Sequence, residues 1–104
     1  MSDSRYCVIV SDRAKRMLAM NLRFLAQIDK KAANKQMKLI MTAIRSLETM
    51  PNRFPFFDED YVPKNKYHKM FVEKNYLILF QIRDFMVYVE YVIDCREDYG
   101  WLVR

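Results

Sequence analysis

Between Tyr67 and Tyr99 three apolar runs follow one another with almost nothing between them. They read YHKMFV, NYLILFQI and MVYVEYVID, separated by EK and by RDF and ended by CREDY. Val, Ile, Tyr and Phe dominate, and each run has the length of a strand. The breaks leave room only for tight hairpins, so neighbouring runs should pair antiparallel. The middle run, Tyr76 to Ile82, is apolar on both faces apart from Gln81. A strand apolar on both sides is covered on both sides. Upstream helices can cover one. What covers the other is the question this sequence poses.

The upstream half supplies those helices. Tyr6–Val10 predicts a short strand, ended by Ser11-Asp12, which suits a helix N-cap because its oxygens accept from the free N–H groups of the first turn. Ala14, Met17, Leu18, Leu22, Leu25 and Ile28 then keep the spacing of one buried helical stripe. After a turn at Asp29-Lys30-Lys31, a second helix repeats the device with Ala33, Met37, Ile40, Ile44 and Leu47 and stops before Pro51. So short a connection folds the two back as an antiparallel hairpin. Residues 51–66, PNRFPFFDEDYVPKNK, form the one long connection, with three prolines and a DED cluster that prevent regular structure. Phe54, Phe56, Phe57 and Tyr61 are too apolar to float, so this loop is expected to pack down over the core's edge. The order strand, two helices, three strands gives an α+β domain, β-α-α-β-β-β, its helical hairpin on one face of a mainly antiparallel sheet.

Charge divides the chain unevenly. Residues 1–50 carry ten Lys/Arg against four Asp/Glu, a net +6, and residues 51–104 carry eight against nine, a net −1. Attraction to nucleic acid or to an acidic protein therefore belongs to the first half. On helix two, Lys31, Lys35, Lys38 and Arg45 fall at i, i+4, i+7 and i+14, opposite the apolar stripe, with Thr42 completing the row. On helix one, Arg16, Arg23 and Lys30 share a face. Such rows are commonly ordinary solvated faces; here almost no acidic residue interrupts them, so they are candidates for meeting a target.

At 104 residues the chain is one domain with one core. No apolar run approaches the ~20 residues of a membrane span, and MSDSRYCVIVSDR is too weakly apolar for a signal peptide. A cytoplasmic address is the expectation. Cys7 and Cys95 suggest neither a disulfide framework nor a metal knot. The only glycine is Gly100, so there is no glycine-rich phosphate cradle, and one histidine without HExxH gives no common zinc site. No metal or cofactor is expected. What remains is polar side chains at strand ends: His68, Lys69, Arg83, Arg96, Glu97, Asp98 and Tyr99. Residues of this kind can cleave RNA without a metal, as a base for the 2′-hydroxyl, a cation for the phosphate and an acid for the leaving oxygen. A lone histidine on a strand is more often structural.

Several local patterns in this order resemble a known family. They are Y-x-V-x-V-S-D-R-A-x-x-x-L at Tyr6–Leu18, S-L-E-T-M-P at Ser46–Pro51, K-Y-H-K-M-F-V-x-x-N-Y-L-I-L-F-Q-I at Lys66–Ile82, and V-I-D-C-R-E-D-Y at Val92–Tyr99. Along essentially the whole chain the sequence is similar to the RelE/ParE superfamily, the toxin halves of bacterial type II toxin–antitoxin and plasmid stabilisation pairs. The resemblance implies the β-α-α-β-β-β fold and a cognate antitoxin that wraps the toxin and covers its open sheet face, here at Leu77, Leu79 and Gln81. On that expectation the free protein exposes an apolar face and behaves poorly alone.

The superfamily divides by target. The RelE-like branch cleaves mRNA on the ribosome, using basic residues on the sheet and a tyrosine near the C-terminus; the ParE-like branch lacks them and poisons DNA gyrase. The RelE pattern would place its strand-two cations at His68 and Met70, or at Lys69 if the hairpin slips by one, since a one-residue slip reverses the faces. The arginine expected after the strand-three tyrosine is Leu77. Arg96 stands near the strand-four arginine and Tyr99 near the C-terminal tyrosine, but Asp94, Glu97 and Asp98 crowd Arg96. With positive charge on the hairpin and not on the sheet, the pattern suits a ParE-like, non-hydrolytic growth inhibitor whose target meets Lys31, Lys35, Lys38 and Arg45. The alternatives are a RelE-like endonuclease using His68, Lys69, Arg96 and Tyr99, or a non-toxic antitoxin-binding module.

Overall fold

The computed structural model describes residues 5–73 and 75–95. Its elements are β1 (Cys7–Val10), α1 (Asp12–Ile28), α2 (Lys30–Arg45), β2 (His68–Val72), β3 (Tyr76–Arg83) and β4 (Met86–Asp94). Short 3₁₀ turns at Ser46–Glu48 and Pro51–Arg53 follow α2. Ser11 is the cap that the sequence advertises, and Asp29, expected only in a turn, caps α2 in the same way. Ser11 Oγ accepts from the Ala14 N–H at 3.0 Å, and Asp29 Oδ1 accepts from the Ala32 N–H at 3.1 Å. Asp29 alone joins the helices, in an extended conformation that ends α1 and starts α2. The hairpin could hardly be tighter.

The sheet runs β1-β4-β3-β2, antiparallel through β2, β3 and β4, with β1 parallel to β4. The helical hairpin carries the chain from β1 across the sheet to β2 at the far edge, and β3 and β4 then return to place β4 beside β1. The sheet is therefore mixed, with one parallel pair among three. Lacking glycine, the tight turns use other residues in the left-handed region: Glu73 (φ 58°) after β2 and Asp84 (φ 54°) after β3. Asp tolerates that conformation because its short side chain can bond locally.

Pleating sorts the strand residues into two layers. Met70, Val72, Ile78, Phe80, Val87, Val89 and Val92 meet Ala14, Ile40, Ile44 and Leu47 of the hairpin side in the main core. Leu77, Leu79, Tyr91 and Ile93 lie on the opposite face. A register shift at Leu79/Phe80 inserts Glu90 into β4 as a bulge, so both Glu90 and Tyr91 can serve the second face. Two stripe positions differ from expectation: Ile28 is 73% exposed and Met37 47%. Ile28 is the last residue of α1, at the tip of the hairpin, while Met37 lies midway along α2.

Candidate functional site

The second face of the sheet is not open. Residues 54–67 run back beside β2 and fold across that face. The Phe57 N–H donates to the Tyr67 carbonyl at 2.7 Å, and the Lys69 N–H donates to the Pro55 carbonyl at 2.9 Å. This pairing sets Phe57, Val62 and Tyr67 over Leu77, Leu79, Tyr91 and Ile93, forming a second core. Leu77 is fully buried and Leu79 is 2% exposed. The expectation that these two offer an open antitoxin face is therefore corrected. A partner would first have to displace three buried side chains, each worth about 2 kcal/mol, roughly 6 kcal/mol together. Gln81 stays half-exposed, its Nε2 donating to Glu90 Oε2 at 3.3 Å.

The positions expected to be catalytic do not come together among the described residues. His68 and Lys69 are consecutive on β2, so the pleat sends them to opposite faces. His68 faces inward, stacked between Phe56 (centroids 4.3 Å apart) and Phe80 (5.3 Å), with Nδ1 2.9 Å from the Phe54 carbonyl. A ring so enclosed, and tied to a carbonyl, is a clamp for the covering segment. Lys69 is half-buried on the second face, and its backbone N–H belongs to that segment's pairing. Arg96 and Tyr99 lie outside the described residues.

A polar group that sequence reasoning did not single out sits where β1 ends. Arg13, in the first turn of α1, donates to the Tyr91 hydroxyl and lies over the Tyr91 ring, 4.6 Å from its centroid. Tyr91 and Tyr67 hydrogen-bond each other with rings edge to face. Burial holds both phenols above their ordinary range; Glu90 raises them further, and Arg13 pulls the other way. Both therefore stay protonated, as donors rather than bases. The only signal in the sequence was one Tyr just before β2 and another within β4, and that is too common to read.

Lys31, Lys35, Lys38 and Arg45 are all exposed on α2. Lys35 and Lys38 border a groove of ≈ 440 Å³ between α2 and β2, lined also by Leu39, Thr42, Ala43, Val72 and Glu73. Among the described residues no three His, Cys, Asp or Glu side chains are grouped as a metal site, and no helix is long and apolar enough to cross a membrane.

A hairpin of helices carrying the positive charge, packed on one face of a four-stranded sheet whose other face the chain fills itself, defines the class of domain. Among solved structures the chain is similar to one from the chromosomal ParDE TA system of P. aeruginosa, with a TM-score of 0.73 at 12% identity, covering 88% of this chain and 97% of that one. It is also similar to a chain of the E. coli DinJ-YafQ toxin-antitoxin complex, with a TM-score of 0.52 at 17% identity, covering 92% and 99%. The fold is thus the α+β fold of those chains, with the β-α-α-β-β-β order that was expected. No protein-family profile matches the chain, and no curated protein sequence does.

Proposed function

We propose that this chain is the toxin of a type II toxin–antitoxin pair, a ParE-like growth inhibitor that acts by binding its target and is silenced by a cognate antitoxin. The likeness to chains of two toxin–antitoxin systems supports the toxin reading. The filled second face carries the choice between branches. A nuclease of the RelE type needs cations on that face, open to an RNA backbone. Here Phe57, Val62 and Tyr67 occupy it. The segment that bears them also brings exposed Asp58, Glu59 and Asp60, whose charge repels phosphate. Lys64, Lys66 and Arg83 are exposed outside the hairpin, but the row of cations without an acidic residue among them is the hairpin's, on α2. DNA gyrase is the target this reading names, reached through Lys31, Lys35, Lys38 and Arg45, in the cytoplasm.

The test is to induce the chain alone and then together with the small protein encoded beside it. Growth arrest with accumulating DNA breaks, relieved by the second protein, is the expected result. Lys35→Glu with Lys38→Glu should fold normally, because exposed charges contribute little to stability, yet lose most of the toxicity. Cutting of mRNA at the ribosomal A site with DNA intact would transfer the chain to the RelE-like reading. No arrest at all would leave the non-toxic module.

A further inference from the structure

We infer that the groove between α2 and β2 is where the cellular target is held, and that what enters it is protein and not DNA. The segment it fits sets one large apolar side chain on the floor of the groove, with carboxylates beside Lys35 and Lys38. This deepens the ParE-like reading above and rests on it. The charge comes first. Helix α2 carries Lys30, Lys31, Lys35, Lys38 and Arg45 and no acidic residue, and Lys35 and Lys38 stand exposed at the groove. Exposed ion pairs speed encounter but do little to hold a complex, because water and salt screen them. A partner drawn in by these lysines needs something else to keep it there.

The floor supplies it. Lys35, Lys38, Leu39, Thr42, Ala43 and Ser46 fall at i, i+3, i+4, i+7, i+8 and i+11, one continuous stripe from α2 into the turn after it, and all six line the groove. The stripe is charged only at its N-terminal end. Past Lys38 it offers Leu39 and Ala43, and β2 adds Val72 and the ring of Phe71, which is 57% exposed. The space enclosed is ≈ 440 Å³. A Leu, Met or Phe side chain that leaves water for such a floor strengthens binding by about tenfold to a hundredfold. Lysines attract the segment, and the floor retains it.

The same lining disfavours a nucleic-acid backbone. A phosphate is held by several cations and by N–H or O–H donors within reach. Here two ammonium groups give way to aliphatic side chains, and the Ser46 hydroxyl donates to the Ala43 carbonyl instead. Glu73, exposed on the β2 side, adds a negative charge that repels phosphate. An apolar anchor with carboxylates toward Lys35 and Lys38 meets none of these conflicts.

Titrating the purified chain into DNA gyrase alone, and separately into a short DNA duplex, tests this. Binding to gyrase without DNA is expected, with the negative heat-capacity change that marks apolar burial. Thr42→Tyr places a ring where the anchor would lie, from an exposed helix position and with no change of charge. Phe71→Ser removes the ring on the other side. Each should weaken binding at least tenfold while Tm holds, and Lys35→Glu with Lys38→Glu should act mainly by slowing association. If Phe71→Ser unfolds the chain, Thr42→Tyr decides alone. Binding that ignores Thr42→Tyr, or that the duplex alone reproduces and only the charge reversal abolishes, overturns the groove and leaves the toxin reading standing. Growth arrest without binding to gyrase overturns the groove together with the gyrase target. Absence of any growth arrest overturns the toxin reading as well.

Discussion

His68 shows how one residue can look catalytic in a sequence and be structural in a fold. As the lone histidine beside a lysine on a strand it invited a role in RNA cleavage. What decides its role is Phe54 and Phe56, more than ten positions earlier, which the covering segment brings onto the imidazole. No spacing rule reports that contact. One hydrogen bond at about 1 kcal/mol and two ring contacts at about 0.5–1 kcal/mol each suggest that His68→Ala costs roughly 2–3 kcal/mol. For a domain of this size that is on the order of 10 °C in Tm. Urea unfolding should show the loss, and toxicity should fall only as far as the folded fraction does. Tyr67 and Tyr91 give the matching prediction for pH. Burial raises both phenols above 10.0 in the folded state, so above that value the unfolded chain releases protons that the folded one keeps. Their contribution is fully present below about pH 10 and is lost as pH rises beyond it. A Tm series from pH 8 to 11 should fall at the alkaline end, and Tyr67→Phe with Tyr91→Phe should flatten that fall.

At the scale of elements, local pattern was enough for most of the chain. The caps at Ser11 and Asp29, the hairpin breaks and the strand runs are set by neighbours in sequence, and their bounds match to within a residue or two. Residues 51–66 carry no period, because prolines and the DED cluster break it. Their aromatic content said that they pack but could not say against which face. They proved to be the answer to the doubly apolar middle strand, which sequence reasoning had assigned to a partner. If so, Phe57→Ala should act as a core truncation, costing about 3–5 kcal/mol. It should also expose Leu77 and Leu79 to a dye that binds apolar surface. Replacing Asp58, Glu59 and Asp60 with Asn, on exposed positions of the same segment, should leave Tm nearly unchanged.

Filling the second face also moves the molecule's apolar exposure elsewhere. The face that was expected to make the free chain poorly behaved is buried, while Met20, Phe24 and Ile28 of α1 are 69%, 69% and 73% exposed. They recur every four residues and so form one stripe of the helix. On a monomer, a row of three large apolar side chains is more than scattered exposure and favours association through that helix. Of the three only Ile28 was expected in the core, because helical periodicity reports which residues share a face, not whether neighbouring elements extend beneath it. Phe24→Glu with Ile28→Lys removes most of the stripe without touching either core, so Tm should hold to within a few degrees. Sedimentation should then show concentration-dependent association in the parent chain and a monomer in the variant. Association that persists in the variant, but is abolished by Phe71→Pro in β2, the last strand of the sheet, would shift the cause to β2. Strand pairing between copies would then replace helix packing as the reason the free chain self-associates.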